Sequence, residues 1–132
     1  MKQITILNIK NNTRNLPEVL GLGAAVDFHN KIGAQKIHDR SYELKTYFRS
    51  KIEDNPKLKL KTPASNELSA AIQVVEVIGK KVSVAKRQLF DEYGIDCRPM
   101  SGFDLNALRL SFAIYITKKE VDLLVKALPQ SE

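Results

Sequence analysis

Leu108-Arg109-Leu110-Ser111-Phe112-Ala113-Ile114-Tyr115, with Thr117 to Leu128 close behind, decides how this chain is read. The first run alternates. Strand geometry sends Leu108, Leu110, Phe112 and Ile114 to one face and Arg109, Ser111 and Ala113 to the other. The second run opens on Thr117-Lys118-Lys119-Glu120, a capping box in which Thr and Glu satisfy each other's backbone N–H groups. Val121, Leu124, Val125 and Leu128 follow at the spacing of one buried helix face. A half-buried strand leading straight into an amphipathic helix is a unit of a layered α+β domain.

Working outward from this unit, Lys80 to Tyr93 reads as a helix with Val82, Ala85, Leu89 and Phe90 inward and Gly94 at its carboxyl-terminal cap. Ile95 to Met100 is a further strand, separated from the next by the loop Ser101-Gly102-Phe103-Asp104. Ala70 to Ile78 is rich in β-branched residues and ends at Gly79, which makes it the strongest strand. Lys57 to Lys61 alternates lysine with Leu58 and Leu60, the pattern of a short strand with one wet face. Ala34 to Asp54 is a helix with Ile37, Leu44, Phe48 and Ile52 as its apolar stripe and Arg40, Glu43, Lys45 and Arg49 mostly outside. Asn15 is placed to cap an earlier helix with Pro17 in its first turn, running to about Gly33. Its Gly21, Gly23, Ala24 and Ala25 would admit a close neighbour. Gln3 to Ile9 alternates weakly. Residues 1–15 are thus a lead-in and turn, and 16–132 a single domain: a small, mostly antiparallel sheet with helices packed on one face.

The chain has 132 residues, enough for one domain with a real core, and its 43% apolar and 27% charged content is that of a soluble globular protein. No stretch is long and apolar enough to cross a membrane, and Met1 to Ile6 has no signal-peptide block, so the cytoplasm is expected. Cys97 is the one cysteine, so there is no disulfide framework. The net charge of +6 raises the question of nucleic acid. The lysines and arginines are scattered and most have acidic neighbours, so no nucleic-acid role is expected.

Catalytic motifs are absent. His29 and His38 fall on separate helices without a carboxylate or thiol at metal-ligand spacing, so no metal site is expected. Cys97 inside a short strand reads as a small apolar side chain, although neighbouring Arg98 could lower its pKa. Gly21-Leu22-Gly23 lies within a helical pattern and is no phosphate loop. Arg109 stands apart. An arginine in so apolar a strand needs a carboxylate, a phosphate or solvent, and an internal acid such as Glu76 would also serve.

The Leu108–Tyr115 strand and the helix after it resemble a signature of class V aminotransferases, the superfamily that includes cysteine desulfurases and isopenicillin-N-epimerase-like proteins. Three further stretches resemble that family in order: Leu16 to Phe28, its glycine- and alanine-rich helix; Ile32-Gly33 with Ile37, Arg40 and Leu44; and Leu89 to Ile95 with Arg98. Together they span roughly residues 12 to 128. The resemblance implies the carboxyl-terminal small domain of a pyridoxal-phosphate enzyme, whose full-length members would be roughly three times longer. It assigns Arg109 to the carboxylate of the amino-acid substrate. It places Thr13 at the cofactor phosphate of a neighbouring subunit, with Asn12 replacing the family's glycine. It further implies a homo-oligomer.

The lysine, the aspartate and the ring-stacking residue that hold pyridoxal phosphate in that family lie on a large domain upstream, and none has a match here. The chain alone is therefore expected to have no catalytic residue, to bind no cofactor and to be inactive. Arg14-Asn15-Leu16-Pro17 and Leu108 to Ser111 favour the aminotransferase/epimerase branch. A desulfurase would also need a nucleophilic cysteine on a mobile loop, a role not assigned to Cys97. The alternative is a stand-alone binding or oligomerisation module that keeps the fold without catalysis.

Overall fold

A computed structural model describes residues 15–102 and 104–129. Four helices and four strands follow in the order α1 (Leu16–Ile32), α2 (Ala34–Ile52), β1 (Leu58–Leu60), β2 (Ile72–Val77), α3 (Val82–Tyr93), β3 (Arg98–Gly102), β4 (Leu105–Ser111) and α4 (Lys118–Ala127). The type and order of every element agree with the sequence pattern. The weakly alternating stretch Gln3 to Ile9, read as part of the lead-in, lies outside the described residues. The chain forms two compact units, one through Ala34 and one from Gln35 onward.

In the first unit, α1 carries Pro17 in its opening turn and ends at Gly33. Asn15 stands at the cap position, but its side chain makes no capping bond, contrary to expectation. No residue of α1 is buried within this unit.

In the second unit the sheet is antiparallel throughout, in the order β1-β2-β4-β3. Its core face presents Val75 and Val77 from β2 and Leu108 and Leu110 from β4, all buried. Leu44, Phe48 and Ile52 of α2, Val82, Ala85 and Leu89 of α3, and Val121 and Leu124 of α4 complete the core. Phe48 meets Phe112 with ring centroids 5.1 Å apart and planes tilted by 39°, a favoured aromatic geometry. Phe90, expected inward, is 54% exposed instead. The helix buries the residues at 82, 85 and 89, and position 90 turns past that stripe.

β3 and β4 form a hairpin that pairs Gly102 with Leu105. Gly102 (φ 116°) and Asp104 (φ 60°) supply the positive φ that so short a connection demands. The strands therefore reach further into 101–104 than the sequence pattern allots, and Ser101 and Gly102 belong to β3 rather than to a loop. β4 in turn stops at Ser111, before the expected Tyr115.

Polar side chains fasten the helices to the sheet. Asn106 of β4 accepts from Val82 N–H at 2.8 Å and donates to the Lys80 carbonyl at 2.9 Å, capping α3 from a distance. Gly94 ends α3 in the left-handed conformation, its N–H reaching the carbonyls of Leu89 and Phe90. Arg40 of α2 donates to the Ile116 carbonyl at 2.9 Å, and Tyr47 donates to Asp122 of α4 at 2.7 Å.

Lys45, expected outside, is 1% exposed. Its ammonium donates to Asn66 Oδ1 at 2.7 Å and Ser69 Oγ at 2.9 Å and lies 4.2 Å from the centroid of the Tyr42 ring. Burial, and secondarily the charge of Arg49, push its pKa down. The loop between β1 and β2 thus folds over α2 through hydrogen bonds that no periodicity announces. Among the described residues no helix is long and apolar enough to cross a membrane.

The capping box of α4 is formed as the sequence indicates: Thr117 Oγ1 accepts from Glu120 N–H at 3.3 Å, and Glu120 accepts from Thr117 N–H at 2.7 Å. Thr117→Ala should cost about 1 kcal/mol in urea unfolding. The Thr117 backbone and hydroxyl bonds hold the Glu120 carboxyl below its ordinary value of 4.5. A depressed carboxyl contributes stability above its unfolded pKa and loses it as pH falls through the folded one. Glu120→Gln should therefore flatten the loss of stability below about pH 4.5, and an unchanged slope would mean the carboxylate is not held.

Candidate anion-binding groove

The alternation that buries Leu108 and Leu110 turns Arg109 to the opposite face of the sheet. In the strand register Arg98 of β3, Arg109 of β4 and Val74 of β2 form one row across that face. Arg98 and Arg109 are direct cross-strand partners, which brings their β-carbons to about 5 Å and is destabilising for like charges.

Among the described residues no acid is ion-paired with either arginine. Glu76, the internal partner suggested by the sequence, is held by Lys61 at 2.6 Å. Asp96 is paired with Lys86 at 3.3 Å. Arg109 Nε is buried and has no hydrogen-bond partner among the described residues. An unsatisfied buried donor costs about 1–3 kcal/mol.

A groove of about 530 Å³ opens beside the pair, lined by Lys86, Asp96, Cys97, Arg98, Pro99, Arg109 and Ser111. Three cations face one carboxylate there, and the Ser111 hydroxyl lies two residues from Arg109 on the same strand face. The donor set suits an anion: a guanidinium can grip a carboxylate through two parallel bonds, and two arginines line this groove.

The set does not suit pyridoxal phosphate. Among the described residues that line the groove, the one lysine, Lys86, is ion-paired, and none is an aromatic residue that could stack on a pyridine ring. Thr13, the residue assigned to the cofactor phosphate, lies outside the described residues.

Cys97 precedes β3, half-buried against the core. Burial, and then the Asp96 carboxylate, push its thiol pKa up, so the neighbouring arginine does not activate it. His38 stacks on Tyr42 with centroids 4.2 Å apart and contacts Asp39 at 3.3 Å on the surface. His29 sits in the last turn of α1. Among the described residues no cluster of His, Cys, Asp and Glu could hold a metal ion. Arg98 and Lys86 are the groove residues that sequence reasoning missed. Recognising the tight hairpin would have set Arg98 against Arg109.

A helix-backed antiparallel sheet with an arginine displayed on its open face defines a class of fold shared with known enzymes. The family profile for aminotransferase class-V matches residues 5–124, and the chain belongs to this family.

The chain is 30% identical over 123 residues to a cysteine desulfurase from Serratia proteamaculans, covering 86% of this chain and 29% of that protein. It is 29% identical over 119 residues to an isopenicillin N epimerase from Amycolatopsis lactamdurans, covering 89% of this chain and 30% of that protein. Among solved structures it resembles the cysteine desulfurase CsdA from Escherichia coli with a TM-score of 0.75 and 25% identity, over 89% of this chain and 31% of that one. A NifS-like protein from Rickettsia africae shares the fold, with a TM-score of 0.73 and 15% identity over 89% of this chain and 34% of that one. The chain thus spans about 30% of the length of the curated relatives it matches.

If Arg109 lacks an internal partner, replacing it relieves strain. Arg109→Met should stabilise this chain by about 1 kcal/mol, the low end of the cost of an unsatisfied buried donor, since the rest of the side chain is only half-buried. Loss of stability in the same denaturant titration would reveal a partner for Arg109.

Proposed function

We propose that residues 16–132 are the carboxyl-terminal small domain of a pyridoxal-phosphate enzyme of the aminotransferase/epimerase branch. In this reading Arg109 binds the carboxylate of the amino-acid substrate. The observation that carries it is the buried, unpartnered Nε of Arg109 at an open groove whose other cations have no spare acid. Family membership and the span of about 30% of the relatives' length support a domain within a longer enzyme. Cofactor chemistry belongs to the part of the parent that would hold the cofactor, and this chain's own residues bind and orient the substrate. The parent would be a cytoplasmic homo-oligomer.

Two titrations of the purified chain test the reading. Pyridoxal phosphate should give no saturable aldimine band and, after borohydride reduction, no lysine labelled above surface background. One specifically trapped lysine would mean that the chain builds a cofactor site of its own. Acetate, followed by the side-chain N–H signals of the arginines in NMR, should move Arg109 Nε–H saturably. An Arg109 signal indifferent to acetate would remove the carboxylate role.

A second reading, a stand-alone binding or oligomerisation module, is favoured by α1. Its Leu16, Leu20, Leu22 and Phe28 are 61–67% exposed, an apolar surface of the kind that marks a partner site. On this reading the chain self-associates in sedimentation velocity as its concentration rises, and Leu20→Lys shifts it to monomer. A wild-type chain monomeric at every concentration would rule out the oligomerising module.

A further inference from the structure

The groove holds more positive charge than one carboxylate requires. Arg98 stands directly opposite Arg109, and neither makes an ion pair or side-chain hydrogen bond among the described residues. Asp96, the one acid of the groove, is engaged by Lys86, and Glu76, diagonal to Arg109 on the neighbouring strand, is engaged by Lys61. Internal acids that would neutralise a purely structural arginine pair are therefore both committed elsewhere.

An edge strand has a cheaper way to present charge. β3 could alternate its cations with the partner strand, as exposed antiparallel pairs do when opposite charges face each other. Here two guanidiniums are aligned in register, and an anion between or beside them would relieve their repulsion. Arg109 is half-buried with its Nε fully buried, which narrows the range of its guanidinium, whereas Arg98 is exposed and free to reach along the groove. One site is constrained and the other is adaptable.

We propose that Arg98 is a specificity-determining residue that binds a second anionic group on the same ligand, so that the groove selects dianionic substrates such as amino acids with an acidic side chain. The proposal rests on the reading of Arg109 as the carboxylate site. Arg109 takes one carboxylate through its fixed fork, and Arg98 takes the distal acidic group, with the Ser111 hydroxyl as a further donor. A monocarboxylate satisfies Arg109 and leaves Arg98 facing it unpaired. A diacid neutralises both.

The test compares butyrate with glutarate, at matched ionic strength, on the isolated wild-type chain and on Arg98→Gln, reading each arginine's Nε–H signal by NMR. Arg98 is exposed at an edge strand, so the substitution leaves the core intact. In the wild type glutarate should bind about tenfold more tightly than butyrate, the ratio expected from one added charged contact, and should move both arginine signals. Arg98→Gln should bring glutarate down to the affinity of butyrate while the Arg109 response to butyrate persists. Equal affinity for the two acids in the wild type would overturn the role of Arg98 and leave that of Arg109 standing. Silence of Arg109 toward both acids would instead remove the carboxylate site, and the second subsite with it.

Discussion

Burial of Leu108, Leu110 and Phe112 against α2, α3 and α4 leaves Arg109 no choice of face. Each of these side chains contributes about 1.5–3 kcal/mol by leaving water. A slip of one residue in the β2–β4 register would expose all of them and drive the guanidinium into the core, where no acid waits for it. The same contacts that build the core therefore aim the arginine. Because β4 lies between β2 and β3, its register also determines what stands beside Arg109: Val74 on one side and Arg98 on the other.

That arrangement is locally unfavourable. Two like charges face each other across a strand pair, and one buried N–H lacks an acceptor. Fully buried Val75, Leu108, Leu44 and Phe48 and a hydrogen-bonded polar framework offset this cost. Arg49, for instance, donates to the fully buried Gln73 at 2.8 Å, so that a polar side chain in the core is matched. Against such matching, the unsatisfied Nε of Arg109 beside a groove stands out as a departure from local rules, and such departures are expected at functional sites.

How much of this could be read from the residues follows from which interactions are periodic. The β4 strand, the α4 helix and its capping box were legible because alternation, 3.6-residue spacing and the Thr117–Glu120 pair are local signals. The side of the sheet that displays Arg109 was legible for the same reason. Lys45 was not, since its burial depends on Asn66 and Ser69, more than twenty residues away in a loop. Phe90 was misplaced because a helix stripe read from hydrophobicity alone cannot tell its edge from its centre. Arg98 escaped notice because its meaning is cross-strand: it depends on the hairpin closing at Gly102 and Leu105, and a positive φ at Asp104 has only a weak sequence signal. The expected capping role of Asn15 failed although the residue type was right, because a cap needs side-chain geometry as well as composition.

The two kinds of relative, a desulfurase and an epimerase, match with nearly the same identity, so similarity does not choose between their reactions. The groove offers a physical criterion. Sulfur removal from cysteine would call for a thiol held as a thiolate and free to reach the substrate. Cys97 lies at the groove, but it is anchored against the core, and burial and Asp96 both favour its protonated form. A thiol so placed lines a wall. On the proposed reading, the charged residues around it, Arg109 and Arg98, would do the recognising, and carboxylate binding would be the capacity that the groove carries in its own side chains.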